Sequence, residues 1–552
     1  MVLAVASSRR RMMNPRVAGI AMFLAAFLLL VSCGIVQCAL NGGRQLADSA
    51  HLTIDRKDVL PTNFKLFGLN DVLGPVMQIP YDSSALVNAV ESLRVGYLRH
   101  PGGAVANYWN ITSGRYATTC SHSSLCGNMS AAVNKFPEGT FSPANFVKDL
   151  ASRTGAKLPV FDLNVLTMDE GTWDMQINTL QPFCADVECF VEIGNELYLN
   201  KQYRWHFPDA STYMTQCKSL ITKLRQRFPK VKISVPAGGI GSFIPKHLAA
   251  DIGIAMTQEE IELAESWSVT LAQYQHLFDA VTIHDYASLG HSEHGDNITW
   301  TSSLATWPQI AYGEAVKFCK KLYRDNISVL ITEYNEGLGD RTELDRDGGP
   351  HALNMLSHVL VGVEHGETIQ SMQYHAFLSV DTMGWDLHSG MVRMKTFNAT
   401  QVYVNGVSQL FAHLSSVAAQ SQDMYRVNIT GGPVTPSTLP EGLSGKSCLQ
   451  AAAFSSVSQL NLAVINRCNE PVTWTLSEGA DQQHRDSMGS LNVTTYNCGP
   501  TEAGGWVEMP SASAAFPWPA PLSSKTSSLQ TLAPLSFSIV QMHVTPPIIE
   551  ST

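Results

Sequence analysis

Residues 189–197 read Cys-Phe-Val-Glu-Ile-Gly-Asn-Glu-Leu, an apolar run that breaks off at Asn195 and Glu196. A short apolar run bounded by turn residues reads as a buried strand, and polar residues just past its end belong to the strand's C-terminal edge. The same pattern recurs on both sides. Phe64–Leu69, Val95–His100 and Lys157–Leu166 precede it, and Lys232–Gly238, Phe278–Tyr286, Val329–Asn335 and Ser371–Phe377 come after. Between these runs lie stretches with apolar residues spaced three and four apart, as in Ser84–Arg94, Ser211–Phe228, Pro308–Asp325 and Leu353–Gly366, the spacing of an amphipathic helix. Strand-like runs alternating with helices predict an α/β chain folded as a (β/α)8 TIM barrel over residues 58–394. A doubly wound open sheet is the competing architecture, but no Gly-x-Gly-x-x-Gly loop follows an early strand. From 395 to 552 the texture becomes short alternating runs such as Gln459–Cys468 and Ser536–Val544. This predicts a C-terminal all-β sandwich domain, joined by a strand from 49–57. Residues 511–527, rich in Pro, Ser and Ala, read as a loop.

The 552-residue chain carries 37 Lys and Arg against 47 Asp and Glu. That balance speaks against nucleic acid as a partner and against a polybasic membrane contact. Residues 1–39 read as a signal peptide, with Arg9, Arg10, Arg11 and Arg16 ahead of the apolar run 17–31. An uncleaved signal anchor, or a lipid on Cys33, is the alternative, and membrane association is expected only then. Cleavage removes four Arg and no acid, leaving a still more acidic chain. Sequons begin at Asn110, Asn128, Asn297, Asn326, Asn398, Asn428 and Asn492. Together with the leader they predict a glycoprotein of the secretory route, secreted or held in a cell wall, lysosome or vacuole. Among the cysteines, the close pairs 120/126 and 184/189 are suited to closing small loops, and no Cys-x-x-Cys spacing suggests zinc.

In a (β/α)8 barrel the chemistry sits at the C-terminal ends of the strands. Glu196 ends the fourth run and Glu333 the seventh. Two carboxylates facing across a barrel mouth suit retaining glycoside hydrolysis, with Glu196 as acid/base and Glu333 as nucleophile. The pair needs unlike surroundings, so that one holds a proton and the other stays ionised. Arg99, His284 and Tyr286, at the ends of the second and sixth runs, are the expected supporting donors. Asn195 and Asn164 are candidates for bonding sugar hydroxyls. Glu192 reads as a structural ion-pair partner and Glu336 as a fallback nucleophile. His284, His291 and His294 lack a carboxylate at ligand spacing, and Asp345–Gly348 lacks the later Glu of a calcium loop. No metal and no cofactor is expected. Trp109, Trp300, Trp307 and Trp385 divide between sugar stacking and core.

Gly194-Asn195-Glu196 and the Ile-Thr-Glu-Tyr-Asn around Glu333 resemble the acid/base and nucleophile strands of clan A retaining glycoside hydrolases. Tyr97–Trp109, with its Arg-His-Pro-Gly-Gly, resembles a segment of α-L-arabinofuranosidases. Phe161–Leu166, Glu192–Leu197 and Phe278–Tyr286 are similar to segments of heparanase and related β-glucuronidases. The resemblance implies a (β/α)8 barrel with a β-sandwich, a polysaccharide or oligosaccharide substrate, and a β-glucuronidase/heparanase-like specificity, to which the motif order through Phe161–Leu166 leans, with the less close α-L-arabinofuranosidase-like specificity as the alternative. Leu197, where Pro is usual, and His100, where an aromatic or apolar residue is common, depart from the pattern. A non-catalytic carbohydrate-binding protein and a transglycosylase are the competing classes. The acidic balance disfavours a heparan-like polyanion unless cations gather at the cleft, and favours neutral or weakly acidic wall glycans.

Overall fold

Strand alternation, with side chains pointing to opposite faces at successive residues, is what builds this molecule's interior. The computed structural model describes residues 49–61, 64–70, 79–117, 130–152, 159–199, 203–246, 257–287, 297–336, 348–375, 378–380, 391–394, 402–404, 406–439, 442–478, 491–499, 507–509, 522–526 and 529–543. The leader, Cys120 and Cys126, His291 and His294, residues 345–347, Trp385 and the side chains of Trp300 and Glu336 lie outside this description.

Strand β1 (Ala50–Pro61) precedes eight parallel strands: β2 (Gly68–Asn70), β3 (Tyr97–His100), β4 (Pro159–Leu163), β5 (Phe190–Ile193), β6 (Lys232–Gly239), β7 (Ala280–Ala287), β8 (Ser328–Glu336) and β9 (Ile369–Tyr374). These eight close into a barrel in chain order, with β9 hydrogen-bonded back to β2. The closure is tight: a Cβ on Gly68 would stand 2.5 Å from the Met372 carbonyl oxygen, so only glycine lets β2 and β9 approach. Helices α1 (Ser84–Leu93), α2 (Glu170–Cys184), α3 (Ala210–Arg227), α4 (Gln258–Leu271), α5 (Asn297–Leu322) and α6 (Gly349–Glu364) cover the outside. Helix α7 (Gly406–Ala419) packs against both α6 and α1. A short strand, Val402–Val404, precedes α7, and, β1 aside, the strands of the large sheet follow it.

The barrel floor is apolar. Tyr97, Val160, Phe190, Ala280 and Leu330, one from each of five strands, form a buried cluster, and the Lys65 ammonium lies 4.9 Å from the Phe190 ring centre. Two residues further along, the same inward face presents Arg99, Asp162, Glu192, Thr282 and Thr332, all buried. The barrel thus changes from apolar to polar within one pleat period, and the polar layer carries the site.

After the barrel come β10 (Asp423–Gly431), β11 (Leu449–Ser455), β12 (Gln459–Asn466), β13 (Val472–Glu478), β14 (Leu491–Asn497), β15 (Leu522–Thr526), β16 (Leu529–Leu532) and β17 (Ser536–His543). They join β1 in one sheet, ordered β15-β14-β17-β12-β11-β10-β1-β13-β16. Leu52, Ile54, Leu462, Val464, Trp474 and Val540 pack together as its own core. Helix α6 is buried from Gly349 to Val363 because it packs against barrel and sheet at once. Disulfides join Cys184 to Cys189, tying the end of α2 to the start of β5, and Cys448 to Cys468; Cys217 and Cys319 are buried and free, and Cys498 is buried.

Candidate active site

Glu196 and Glu333 face one another at the C-terminal mouth of the barrel. One oxygen from each, together with a His284 ring nitrogen, lies within 4.8 Å of the other two. Local backbone geometry places both. Gly194 and Glu196 adopt φ of 80° and 48°, the left-handed region that costs a non-glycine residue about 1 kcal/mol and recurs at functional sites. The buried Leu197 side chain packs over Gly194, so the residue that departs from the usual Pro shapes this turn. On β8 the register slips: Ile331 pairs with Ile283, but Glu333 pairs with His284. Thr332 is the extra residue of this bulge, which re-aims the side chains beyond it. In consequence two consecutive side chains meet one imidazole. Thr332 Oγ1 lies 3.0 Å from His284 Nε2, and Glu333 Oε2 lies 3.5 Å from His284 Nδ1.

The two carboxyls sit in unlike surroundings. Glu333 accepts from Arg99 Nη1 at 2.7 Å and from the Tyr286 hydroxyl, and only 4% of its side chain is exposed. Burial alone would raise its pKa. The facing rings of His284 and His375, the Arg99 guanidinium and the Tyr286 hydroxyl outweigh burial and hold the carboxyl well below the usual range. Glu196 accepts from His284 Nδ1 at 2.9 Å and Tyr198 Oη at 3.2 Å, with 18% of its side chain exposed. For His284 burial acts to lower the pKa, but the charges of Glu333 and Glu196 reverse it, so the ring's pKa is raised.

Arg99 is fully engaged. Nε donates to Glu192 (2.8 Å), Nη1 to Glu333, and Nη2 to Asp162 (3.0 Å) and Asn195 Oδ1 (2.6 Å). Glu192 is thus the ion-pair partner its position suggested. Asn195 is clamped by Asn107, whose Oδ1 accepts from the Asn195 amide at 2.9 Å and whose Nδ2 donates to the Asn195 carbonyl at 2.6 Å. The Asn195 side-chain Nδ2 is buried without a hydrogen-bond partner, which leaves its donors unspent. Asn164 does not fit the sugar-binding expectation. Its Nδ2 donates to Trp109 O and Thr167 Oγ1, and its Oδ1 accepts from the amides of Leu166 and Thr167. With its hydrogen-bonding capacity spent on the loop, it holds the turn after β4. Trp109 and Trp307 are core residues, and His100 stacks on Phe146 with ring centres 4.6 Å apart.

Three contributors escaped sequence reading. Tyr198 lies just past the fourth run; Asp162 is hidden inside an apolar run; His375 lies within the eighth. His375 Nδ1 lies 2.7 Å from Asn70 Nδ2, and its ring meets that of Tyr286 edge-on. A polar residue just past a run end was the available signal for Tyr198, and a histidine inside an apolar run was the signal for His375. Although Glu196, His284 and Glu333 cluster as metal ligands do, the Arg99 guanidinium already occupies Glu333 Oε1, so a cation there would meet a fixed positive charge.

No protein-family model matches the sequence, and no curated protein matches it. Solved structures do. A GH51 arabinofuranosidase from Xanthomonas axonopodis pv. citri superposes with a TM-score of 0.62 at 11% identity, over 90% of this chain and 100% of that one. An α-L-arabinofuranosidase from Thermotoga maritima, in an arabinose complex, gives 0.59 at 14%, over 90% and 100%. A Paenibacillus polymyxa xyloglucanase from GH family 44, with xyloglucan, gives 0.51 at 11%, over the same shares. The chain shares its fold with these proteins. At such identities the likeness establishes the barrel and sandwich architecture.

Proposed function

We propose that the chain is a retaining O-glycoside hydrolase with Glu333 as nucleophile and Glu196 as acid/base. The observation that carries this reading is the pair of carboxyls with oxygens within 4.8 Å, one sealed among donors and one partly wet. Carboxyls about 5–5.5 Å apart suit direct attack on the anomeric carbon, whereas inversion needs about 6.5–9.5 Å for an intervening water. In the first step the ionised Glu333 attacks while Glu196 protonates the departing oxygen. In the second Glu196 takes a proton from water, which displaces the sugar from Glu333. The shared fold of arabinofuranosidases and a xyloglucanase supports a carbohydrate substrate.

For specificity we favour a neutral sugar, arabinofuranosidase-like. A β-glucuronidase/heparanase-like enzyme must neutralise a uronate, and Arg99, the buried guanidinium at this site, is spent on Glu192, Glu333, Asp162 and Asn195. Secretion is part of the same reading: the sequon residues Asn326 and Asn428 are exposed and open to glycosylation.

The test is a screen of aryl arabinofuranosides, xylosides, glucosides and glucuronides, with NMR of the first-formed anomer and trapping by a fluorinated sugar that stalls at the glycosyl-enzyme. Retention of configuration, label on Glu333 and loss of turnover in Glu333→Gln are expected. An inverted product, or full turnover in Glu333→Gln, overturns the assignment. Oligosaccharide binding without turnover on any glycoside would instead favour a carbohydrate-binding protein.

A further inference from the structure

We propose that Asp162 holds a proton in the folded protein and shares it with Glu192, leaving the Arg99 charge to Glu192 and Glu333. One guanidinium faces three buried carboxyls here: Asp162 at 3.0 Å, Glu192 at 2.8 Å and Glu333 at 2.7 Å. Each of the first two bonds Arg99 through one oxygen. The other oxygens, Asp162 Oδ1 and Glu192 Oε1, are buried without a donor. An ionised carboxylate only accepts hydrogen bonds, so two ionised groups here would leave two orphaned acceptors and an excess of buried negative charge. Buried polar atoms without partners are rare because each costs its desolvation energy.

Asp162 and Glu192 are direct register partners on the adjacent parallel strands β4 and β5, and paired strands run about 4.8 Å apart. A single proton on this pair of carboxyls turns an orphaned acceptor into a donor and removes one negative charge. Asp162 is the site for it because its contact with Arg99 is the longest of the three, through a nitrogen it shares with Asn195. The groups facing it are Arg99 from β3, Glu192 from β5, Glu333 from β8 and the Tyr213 ring of α3, whose hydroxyl donates to the Ile193 carbonyl. Burial, followed by the charge of Glu192, raises the Asp162 pKa against the pull of Arg99. Its consequence for catalysis rests on Glu333 being the nucleophile: a neutral Asp162 does not compete for the charge that keeps Glu333 ionised. The proton itself does not depend on that reading.

The experiment is infrared difference spectroscopy of the whole protein in heavy water near neutral pH, with and without isotopically labelled aspartate. A carbonyl stretch of a protonated carboxyl that moves with the label, and disappears in Asp162→Asn, is expected. Thermal unfolding against pH supplies a second readout. A folded pKa raised above the unfolded value means stability is present at low pH and lost as pH rises through the folded value. Asp162→Asn lacks that loss, so its melting temperature should gain on the parent's as pH rises. An offset independent of pH, or no label-sensitive band in the folded protein, overturns the proposal. Where the variant does not fold, the labelled parent decides. Full turnover in Glu333→Gln would remove the catalytic consequence and leave the infrared result standing.

Discussion

His284 Nδ1 lies 2.9 Å from Glu196 Oε1, and the same nitrogen is 3.5 Å from Glu333 Oε2. One imidazole therefore links the two carboxyls whose protonation must differ in the proposed double displacement. Its raised pKa means that the imidazolium is stabilised by folding. That stabilisation is fully present below the unfolded histidine pKa of about 6.5 and is lost as pH rises through the higher folded value. Replacing His284 with Gln should flatten this decline. Melting temperatures of parent and variant between mildly acidic and mildly alkaline pH should converge as pH rises; parallel curves would show that His284 carries no linked proton.

Glu196 as acid/base makes a prediction that depends on the leaving group. General acid catalysis contributes about 10²–10⁴-fold, and an acidic phenol needs little of it. Glu196→Ala should lose activity on oligosaccharides by about that factor. On aryl glycosides with acidic phenols the glycosyl-enzyme should still form and accumulate as a burst. Added azide should speed its breakdown and yield the glycosyl azide of retained configuration. Equal losses on both substrate types, without rescue, would remove Glu196 from this role.

The barrel was legible because its strands are buried apolar runs and its helices keep helical spacing; both signals are local. Glu196, Glu333, Arg99, His284 and Tyr286 were legible because they end such runs, where a barrel presents its chemistry. Asp162 was not. It lies inside Phe161–Leu166, where one charged residue among apolar neighbours gives no sign of facing inward. Only the closed barrel shows that the layer above Tyr97, Val160 and Phe190 is polar. Asn164 misled for a related reason: an amide at a strand end bonds a sugar or its own loop with the same sequence signal. Helix α7 was not legible because it lies among β-rich sequence while packing on α6 and α1.

Tyr286 should set the acid limb of activity. Its hydroxyl donates to Glu333 and helps keep that carboxyl ionised against burial. A hydrogen bond to a charged group contributes about 1.5–3 kcal/mol. Tyr286→Phe should therefore lower kcat/KM roughly tenfold to a hundredfold, at about 1.4 kcal/mol per factor of ten. It should also move the acid limb of the kcat/KM profile to higher pH, because Glu333 must be ionised to attack and its pKa climbs without the donor. A lowered rate with an unmoved acid limb would mean that Tyr286 acts on the substrate alone.

Gly194 ties backbone conformation to function most directly. Its φ is +80°, and a Cβ there would stand 2.7 Å from Leu197 Cδ1 and 3.0 Å from Val165 Cγ2. Gly194→Ala must adopt a disfavoured conformation and push aside two buried side chains, a combination costing about 1–3 kcal/mol by overpacking. The displacement falls on the turn that delivers Asn195 and Glu196, while Arg99 and Glu333 stand on other strands. The variant should unfold at lower denaturant with an unchanged slope, and kcat/KM should fall by more than the unfolded fraction explains. Trimming Leu197 in the double variant Gly194→Ala/Leu197→Ala removes the closest clash but not the backbone strain, so it should recover part of the activity. Full stability in Gly194→Ala with unchanged kinetics would show that the left-handed turn does not place the acid/base.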